Sequence, residues 1–297
     1  MTAEPRWIDP DSPEWPARLE HLALPPRGFW QLGTAGPSSP SVAIVGSRRA
    51  TFGGVEIAAS IGRELGAAGI QVISGMALGI DAAAHAGALE GGGTTVAVLG
   101  CGIDICYPSR HYGLRDHIVA NGSVITEEVA GTPPLRYNFP KRNRLIAALA
   151  HAIVVVEATE RSGALSTARW AADLGRDVLA VPGSIRARQS SGTNLLIRDG
   201  ARPFLGIGDL FDAVPALREA APHAAVDADP GLRPDSLERF SPPLREILAR
   251  MGKQPVHPDQ VGIALGLSPS VVATRLGALE LAGAVMSLPG GLVARTV

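Results

Sequence analysis

The chain reads as an α/β protein, a doubly wound and mostly parallel sheet with a small C-terminal winged helix behind it, and three observations predict this. From Val42 onward, short apolar runs bounded by glycine alternate with amphipathic stretches, the pattern of buried parallel strands joined by helices. Aromatic residues make up only 4% of the chain while Gly and Ala are plentiful, a balance that suits helices packed closely on a parallel sheet better than a β-sandwich. Beyond a change of composition near Val214, three short helical patterns precede two strand-like runs joined by a Pro-Gly-Gly turn, which together describe a winged helix.

In chain order, residues 1–40 are Pro-rich, carry Trp7, Trp15, Phe29 and Trp30, and are expected to form an arm packed on the sheet domain. Six apolar runs, 42–46, 70–74, 95–100, 124–126, 152–157 and 178–182, are the expected strands of an extended Rossmann-type domain over residues 41–213. Segments 53–69 and 79–92 supply its first helices. Ligands in such a sheet collect beyond the carboxyl ends of the strands. Residues 214–238, rich in Ala, Pro and Asp, read as a linker, and 239–297 as the winged helix.

A hydrophobic content of 46% over 297 residues allows a large buried core. The net charge of −1 gives no global attraction to nucleic acid, so any such role must rest on local clusters of cations. Cys101 and Cys106 fit neither a disulfide framework nor a four-ligand zinc site, and a reducing, cytoplasmic setting is expected. The N-terminal stretch MTAEPRWIDPDSPEWP lacks the apolar core of a signal peptide, and no run approaches a membrane span, so no membrane partner is expected.

The most telling segment is Arg136–Leu149, where Lys141, Arg142 and Arg144 are expected at the front of an apolar helix. A helix N-terminus carries partial positive charge and unpaired N–H groups. Cations crowded there are relieved by a phosphate. Asn143 is a candidate cap, and Tyr137 and Phe139 just upstream are flat rings of the kind on which single-stranded nucleic acid stacks. Taken alone, the segment reads equally as a polynucleotide site or as a solvated basic turn whose Phe139 plugs the core.

The loop after the first strand, Gly46, Ser47, Arg48 and Arg49, again sets cations before a helix, and lacks the Gly-Lys-Ser/Thr of a P-loop and the GxGxxG of dinucleotide enzymes. After the second strand, Gly75, Ala77 and Gly79 permit close backbone approach to a ligand. Asp81 there reads as a helix cap and His85 as a helix histidine buried against the sheet. Ser162, Ser166 and Thr167 follow the fifth strand as candidate caps, and Arg186 and Arg188 lie in a later polar loop able to widen an anion-binding surface. Glu127, Glu128 and Glu157 read as solvated strand ends. No HExxH, GxSxG or Cys/His nucleophile signature occurs, which favours binding over turnover and implies no cofactor or metal.

In order, VAIVGSRRAT, SGMALGIDAAAHAGAL, VLGCGIDICYP, FPKRNRLIAALA, VVVEATERSGALSTARWAADLGRDVLAVPG and SSGTNLLIRDGA resemble the DNA-processing protein A family (DprA, also called Smf). The resemblance runs from about Trp7 to Asp212. It implies a cytoplasmic, non-enzymatic, homodimeric protein that binds and protects single-stranded DNA and loads the recombinase RecA in natural transformation, with single-stranded DNA-binding protein as a further partner. It implies a phosphate pocket made by Gly46, Ser47 and Arg48, by Gly75 and Ala77, and by Lys141, Arg142, Asn143 and Arg144, with Arg49 and Gly79 beside it and Phe139 as base contact. Many members open with a small helical domain resembling a sterile alpha motif, for which the sequence ahead of residues 7–40 leaves no room, so a function assigned to that domain is not carried over to this chain. The helix expected at 268–283 of the winged unit carries Arg275 as its one cation, so partner contact or self-association is expected of that unit rather than sequence reading. The other reading is a nucleotide phosphoribohydrolase related to lysine decarboxylase-like proteins, although Ser162–Thr167 lacks the paired glycines of its phosphate turn.

Overall fold

The structure, a computed structural model, describes residues 4–38, 40–221, 240–252, 254–281 and 284–295. The chain divides into two compact units, Met1–Asp227 and Ala228–Val297. In the first, the described residues form a nine-stranded sheet. Its strands are β1 (Arg6–Ile8), β2 (Phe29–Gly33), β3 (Ser41–Val45), β4 (Gln71–Ser74), β5 (Thr95–Val98), β6 (Ser123–Thr126), β7 (Ala152–Val155), β8 (Asp177–Ala180) and β9 (Arg202–Pro203). The order across the sheet is β1-β2-β6-β5-β4-β3-β7-β8-β9. All neighbours from β6 to β9 are parallel, while β1 and β2 join antiparallel.

The six apolar runs are therefore the six strands β3 to β8. In β3 to β7, four or five consecutive buried residues per strand follow from helices covering both faces. Alternate side chains feed opposite layers. Ala43, Val45, Ile153 and Val155 pack against α4 (Asn138–Leu149) and α5 (Ala164–Asp173). Val42, Ile44, Val154 and Val156 pack against α1 (Phe52–Ala67), α2 (Ile80–Glu90), α7 (Ile207–Ala213) and α8 (Pro215–Ala220). Between β5 and β6 lies α3 (Tyr112–Asn121), and α6 (Ser191–Arg198) precedes β9.

Two features go beyond the sequence reading. Residues 6–33 extend the sheet by two strands as well as packing on it, with Leu19, Leu22 and Phe29 buried in the α4 layer. The stretch read as a linker from residue 214 opens with the helix α8, because Leu217 and Ala221 are buried in the α7 layer; the rest of that linker, 222–238, lies outside the described residues.

The chain runs from β3 outward to β6, then returns across the sheet to β7 on the other side of β3. The loops leaving β3 and β7 diverge, and a crevice opens at that switch point, the place where doubly wound sheets hold ligands.

In the second unit, helices Pro242–Met251, Pro258–Leu265 and Pro269–Leu281 are followed by the antiparallel pair Val285–Leu288 and Leu292–Arg295. Gly290 and Gly291 both have positive φ (85° and 73°), as a tight hairpin turn demands. Ile247, Leu248, Val261, Val272, Leu279 and Val293 form its own core. This is the winged helix. Among the described residues of the chain, no single helix is long and apolar enough to cross a membrane.

Candidate nucleic-acid interface

A cleft of about 700 Å³ occupies the crevice beyond β3 and β7. Its walls are the loop after β3, the loop after β7, the start of α4, and Arg188 with Gln189. Of the sequence-predicted residues, Gly46, Ser47, Arg48, Arg49, Ala77, Phe139, Arg142 and Asn143 line it, whereas Gly75, Gly79, Lys141 and Arg144 do not.

The first wall is built around an internal anion. Thr51 is the N-cap of α1; its Oγ1 accepts from the Gly54 N–H at 3.0 Å and donates to Glu157 Oε1 at 2.5 Å. The Thr51 N–H donates to Glu157 Oε2 at 2.9 Å. A carboxylate there satisfies the positive end of the helix, and a Cβ on Gly54 would lie 2.5 Å from it. Glu157 is thus buried and bonded, not a solvated strand end, and the anion at the front of α1 is the protein's own. What the loop turns outward is charge on side chains: Arg48 and Arg49 are both exposed.

The floor follows the same logic. Asp81, 6% exposed in the first turn of α2, reaches back to accept from the N–H groups of Gly75 (3.2 Å) and Ala77 (3.4 Å). It is not a cap of its own helix, and those two amides are already engaged. Burial pushes the Asp81 carboxyl upward, opposed chiefly by the Arg142 guanidinium. Gly79 sits at the N-cap of α2 with φ of 77°, and its missing Cβ leaves room for the backbone of Ser47 and the methyl of Ala50. His85 is fully buried; its Nδ1 lies 2.6 Å from Thr95 Oγ1, whose proton goes to Val72 O. The Thr95 hydroxyl therefore accepts and His85 Nδ1 donates. Burial holds the imidazole pKa down to about 3.

The helix α4 begins at Asn138, earlier than the charges suggest. Pro140 is tolerated in its first turn, where an N–H has no intrahelical acceptor anyway. Lys141, Arg142 and Arg144 consequently fall beyond the first turn, where the dipole has largely faded. Their fates differ. Arg142 is 5% exposed and points inward, donating to the carbonyls of Gly75 (3.0 Å) and Val98, the ends of β4 and β5. A Cβ on Gly75 would sit 2.6 Å from that guanidinium, so a larger residue there would displace it. Burial lowers the Arg142 pKa to about 10, with Asp81 opposing. Lys141 pairs with Glu128 at 3.0 Å and Arg144 with Glu127 at 2.5 Å. The two acids are ion-pair partners rather than solvated strand ends, and these two cations are turned away from the cleft. Asn143 donates from Nδ2 to Gly163 O at 3.2 Å, tying α4 to the start of α5.

Two further cations on the cleft wall are Arg136, which stood in the sequence without a distinguishing signal beyond charge, and Arg188, of the polar loop expected to widen the site. Both are exposed, and neither they nor Arg48 and Arg49 make an ion pair among the described residues. Four unneutralised guanidinium groups therefore converge on one polar cleft, a surface that attracts a polyanion. Phe139 stands among them with the Arg48 Cζ 5.0 Å from its ring centroid.

The family model for DNA recombination-mediator protein A matches residues 6–215, and that for the DprA winged helix domain matches 221–291. The chain belongs to the DprA family. A putative DNA processing protein DprA of Mycobacterium tuberculosis is 39% identical over 292 residues, covering 94% of this chain and 74% of that protein. The X-ray structure of DprA from Streptococcus pneumoniae superposes with a TM-score of 0.65 at 35% identity, covering 70% of this chain and 73% of that one. A Helicobacter pylori DprA structure, described for its single-stranded DNA binding mode, gives a TM-score of 0.63 at 27% identity, covering 71% and 97%. DNA processing is thus the business of the family, and a DprA relative binds single-stranded DNA.

Proposed function

We propose that this DprA-family chain holds single-stranded DNA in the switch-point cleft, phosphates against Arg48, Arg49, Arg136 and Arg188, without reading base sequence. The observation that carries the reading is the convergence of these four exposed, unpaired guanidinium groups on a cleft at the carboxyl edge of the sheet. The relative whose structure concerns single-stranded DNA supports it. Backbone amides contribute less than the sequence suggests, since Asp81 and Glu157 occupy several of them.

The finer reading is that the bound strand is protected and handed to the recombinase RecA in the cytoplasm, with the chain acting as a homodimer, single-stranded DNA-binding protein as a further partner, and no catalytic turnover. The family description as a recombination mediator supports it. The winged helix then serves partner contact, in keeping with Arg275 as the one cation on helix Pro269–Leu281.

Fluorescence anisotropy with a labelled oligonucleotide, single-stranded and as duplex, tests the core of this. Tighter binding of the single strand, independent of its sequence, is expected; equal or tighter duplex binding contradicts it. Faster RecA assembly on the strand when the chain is present is the expected result for the finer reading, and an unchanged rate removes it.

A further inference from the structure

A second cluster of cations lies at the opposite edge of the sheet from the cleft. Strands β3, β7 and β8 are parallel neighbours whose registers pair Val42 with Ala152 and Ala152 with Asp177, so the residues just before these, Ser41, His151 and Arg176, stand side by side at the amino edge. His151 is tied to Ser41 there, its backbone N–H donating to Ser41 O at 2.9 Å. The short 3₁₀ turn Ala17–His21, held down by the buried Leu19, comes to the same place. Arg176 Nη2 donates to His21 Nδ1 at 2.9 Å. An imidazole that accepts at Nδ1 keeps its proton on Nε2 and remains a donor.

This cluster is short of an anion. Neither Arg18 nor Arg176 makes an ion pair among the described residues, and Arg176 Nε is buried without a hydrogen-bond partner among them. The acids next to them in sequence do not supply one: Asp177 faces Arg202 at 3.6 Å, and Glu20 is exposed. Both guanidinium groups are half-buried. Burial lowers the pKa of each, and Arg176 lowers that of Arg18 further. Burial, followed by Arg18 and Arg176, brings His151 down to about 4. Like charges gathered partly out of water raise the free energy unless an anion joins them.

We infer that Arg18, Arg176 and His21 form a second phosphate site, at the amino edge of the sheet and separate from the switch-point cleft. The planar guanidinium matches pairs of phosphate oxygens, and two such groups with an imidazole donor suit a compact tetrahedral anion. Two of the three residues come from the N-terminal arm, so an anion seated here also fastens that arm to the sheet. The phosphate belongs to a small phosphate compound or to a nucleic-acid backbone; the chemistry is shared, and the experiment separates the sources. The site stands whether or not the cleft holds DNA.

The test titrates inorganic phosphate, against chloride at matched ionic strength, into the full chain and follows the imidazole NMR signals of His21 and His151. Saturable movement of both with phosphate alone is expected. Arg18→Gln and Arg176→Gln are each expected to weaken that response roughly tenfold or more, the share of one hydrogen bond to a charged group. In phosphate-free buffer Arg18→Gln is expected to unfold no earlier than the parent chain; a midpoint well below the parent's would mean that Arg18 already has an internal partner, against the assignment. The same response to chloride, or a full phosphate response in both variants, overturns it. Thymidine monophosphate and a long oligothymidine then separate the sources. Weaker binding of the nucleotide alone in Arg18→Gln assigns a small phosphate compound, a salt slope on the long strand reduced by up to about 0.7 assigns a phosphodiester, and no loss with either overturns the site.

Discussion

Two groups of cations lie within one turn of the same cleft and do different work. On the loops, Arg48, Arg49, Arg136 and Arg188 are exposed and make no ion pair among the described residues. On α4, Arg142 is buried across the strand ends, while Lys141 and Arg144 are neutralised by Glu128 and Glu127. The second group carries the motif that draws the eye in the sequence; the first carries the charge that a ligand can reach. A cation contributes to a binding surface only to the extent that nothing inside the protein has already claimed it.

The largest effect that separates the groups concerns stability. Arg142→Leu removes charged hydrogen bonds to Gly75 O and Val98 O and leaves Asp81 without its nearest cation. A loss of about 3 kcal/mol in unfolding free energy is expected, from roughly 1.5–3 kcal/mol per bond to a charged group, read by denaturant titration. Arg48→Ala is expected to leave the denaturant midpoint almost unmoved. Equal stability of the two variants would erase the distinction.

The buried floor also sets a pH dependence. The folded-state pKa of His85, about 3, lies below its unfolded value of about 6.5. Above pH 6.5 the imidazole is neutral in both states and costs nothing. As pH falls below 6.5 the unfolded chain takes up the proton first, so stability declines toward pH 3. The expected loss from this group is about 2 kcal/mol by pH 5, and His85→Gln should flatten that limb of a stability-versus-pH curve. His151, lowered to about 4 mainly by burial, acts in the same direction. A profile flat between pH 5 and 6.5 would show that His85 is not held neutral.

A smaller effect sharpens the boundary between the groups. Glu128→Gln releases Lys141, whose side chain is half exposed, and single-strand affinity is expected to rise about two- to threefold, in line with the ~0.2–1 kcal/mol of an exposed pair. Titration at low salt checks it, and an affinity that falls would mean that Glu128 itself holds the site together.

The fold was largely legible because β3 to β8 fall on short apolar runs, those of β3 to β7 buried along their whole length. The strands β1 and β2 were not, since RWI and FWQLG are short and lie among prolines, β2 gaining its structure from pairing with β6 some ninety positions away and β1 from pairing with β2. At the cleft, residue types were visible but pairing was not. The Lys141–Glu128 and Arg144–Glu127 partners are 13 and 17 positions apart, joined by a loop whose course local periodicity does not encode. Asp81 and Glu157 looked like a cap and a strand end, yet both are the internal anions that fill the amide sites which dipole reasoning had reserved for phosphate. Of the cations singled out in the sequence, Arg48, Arg49, Arg142 and Arg188 line the cleft at the carboxyl edge, Arg136 joins them, and Lys141 and Arg144 lie outside it.

The measurement that bears most directly on this account is the salt dependence of single-strand affinity in Arg48→Ala and Lys141→Ala, set beside the parent chain. A cation that holds a phosphate contributes about −0.7 to the log–log slope. Arg48→Ala should lose about that much, for every sequence alike, while Lys141→Ala should lose little, its charge being spent on Glu128. A full loss of slope in Lys141→Ala with none in Arg48→Ala would contradict the division drawn here.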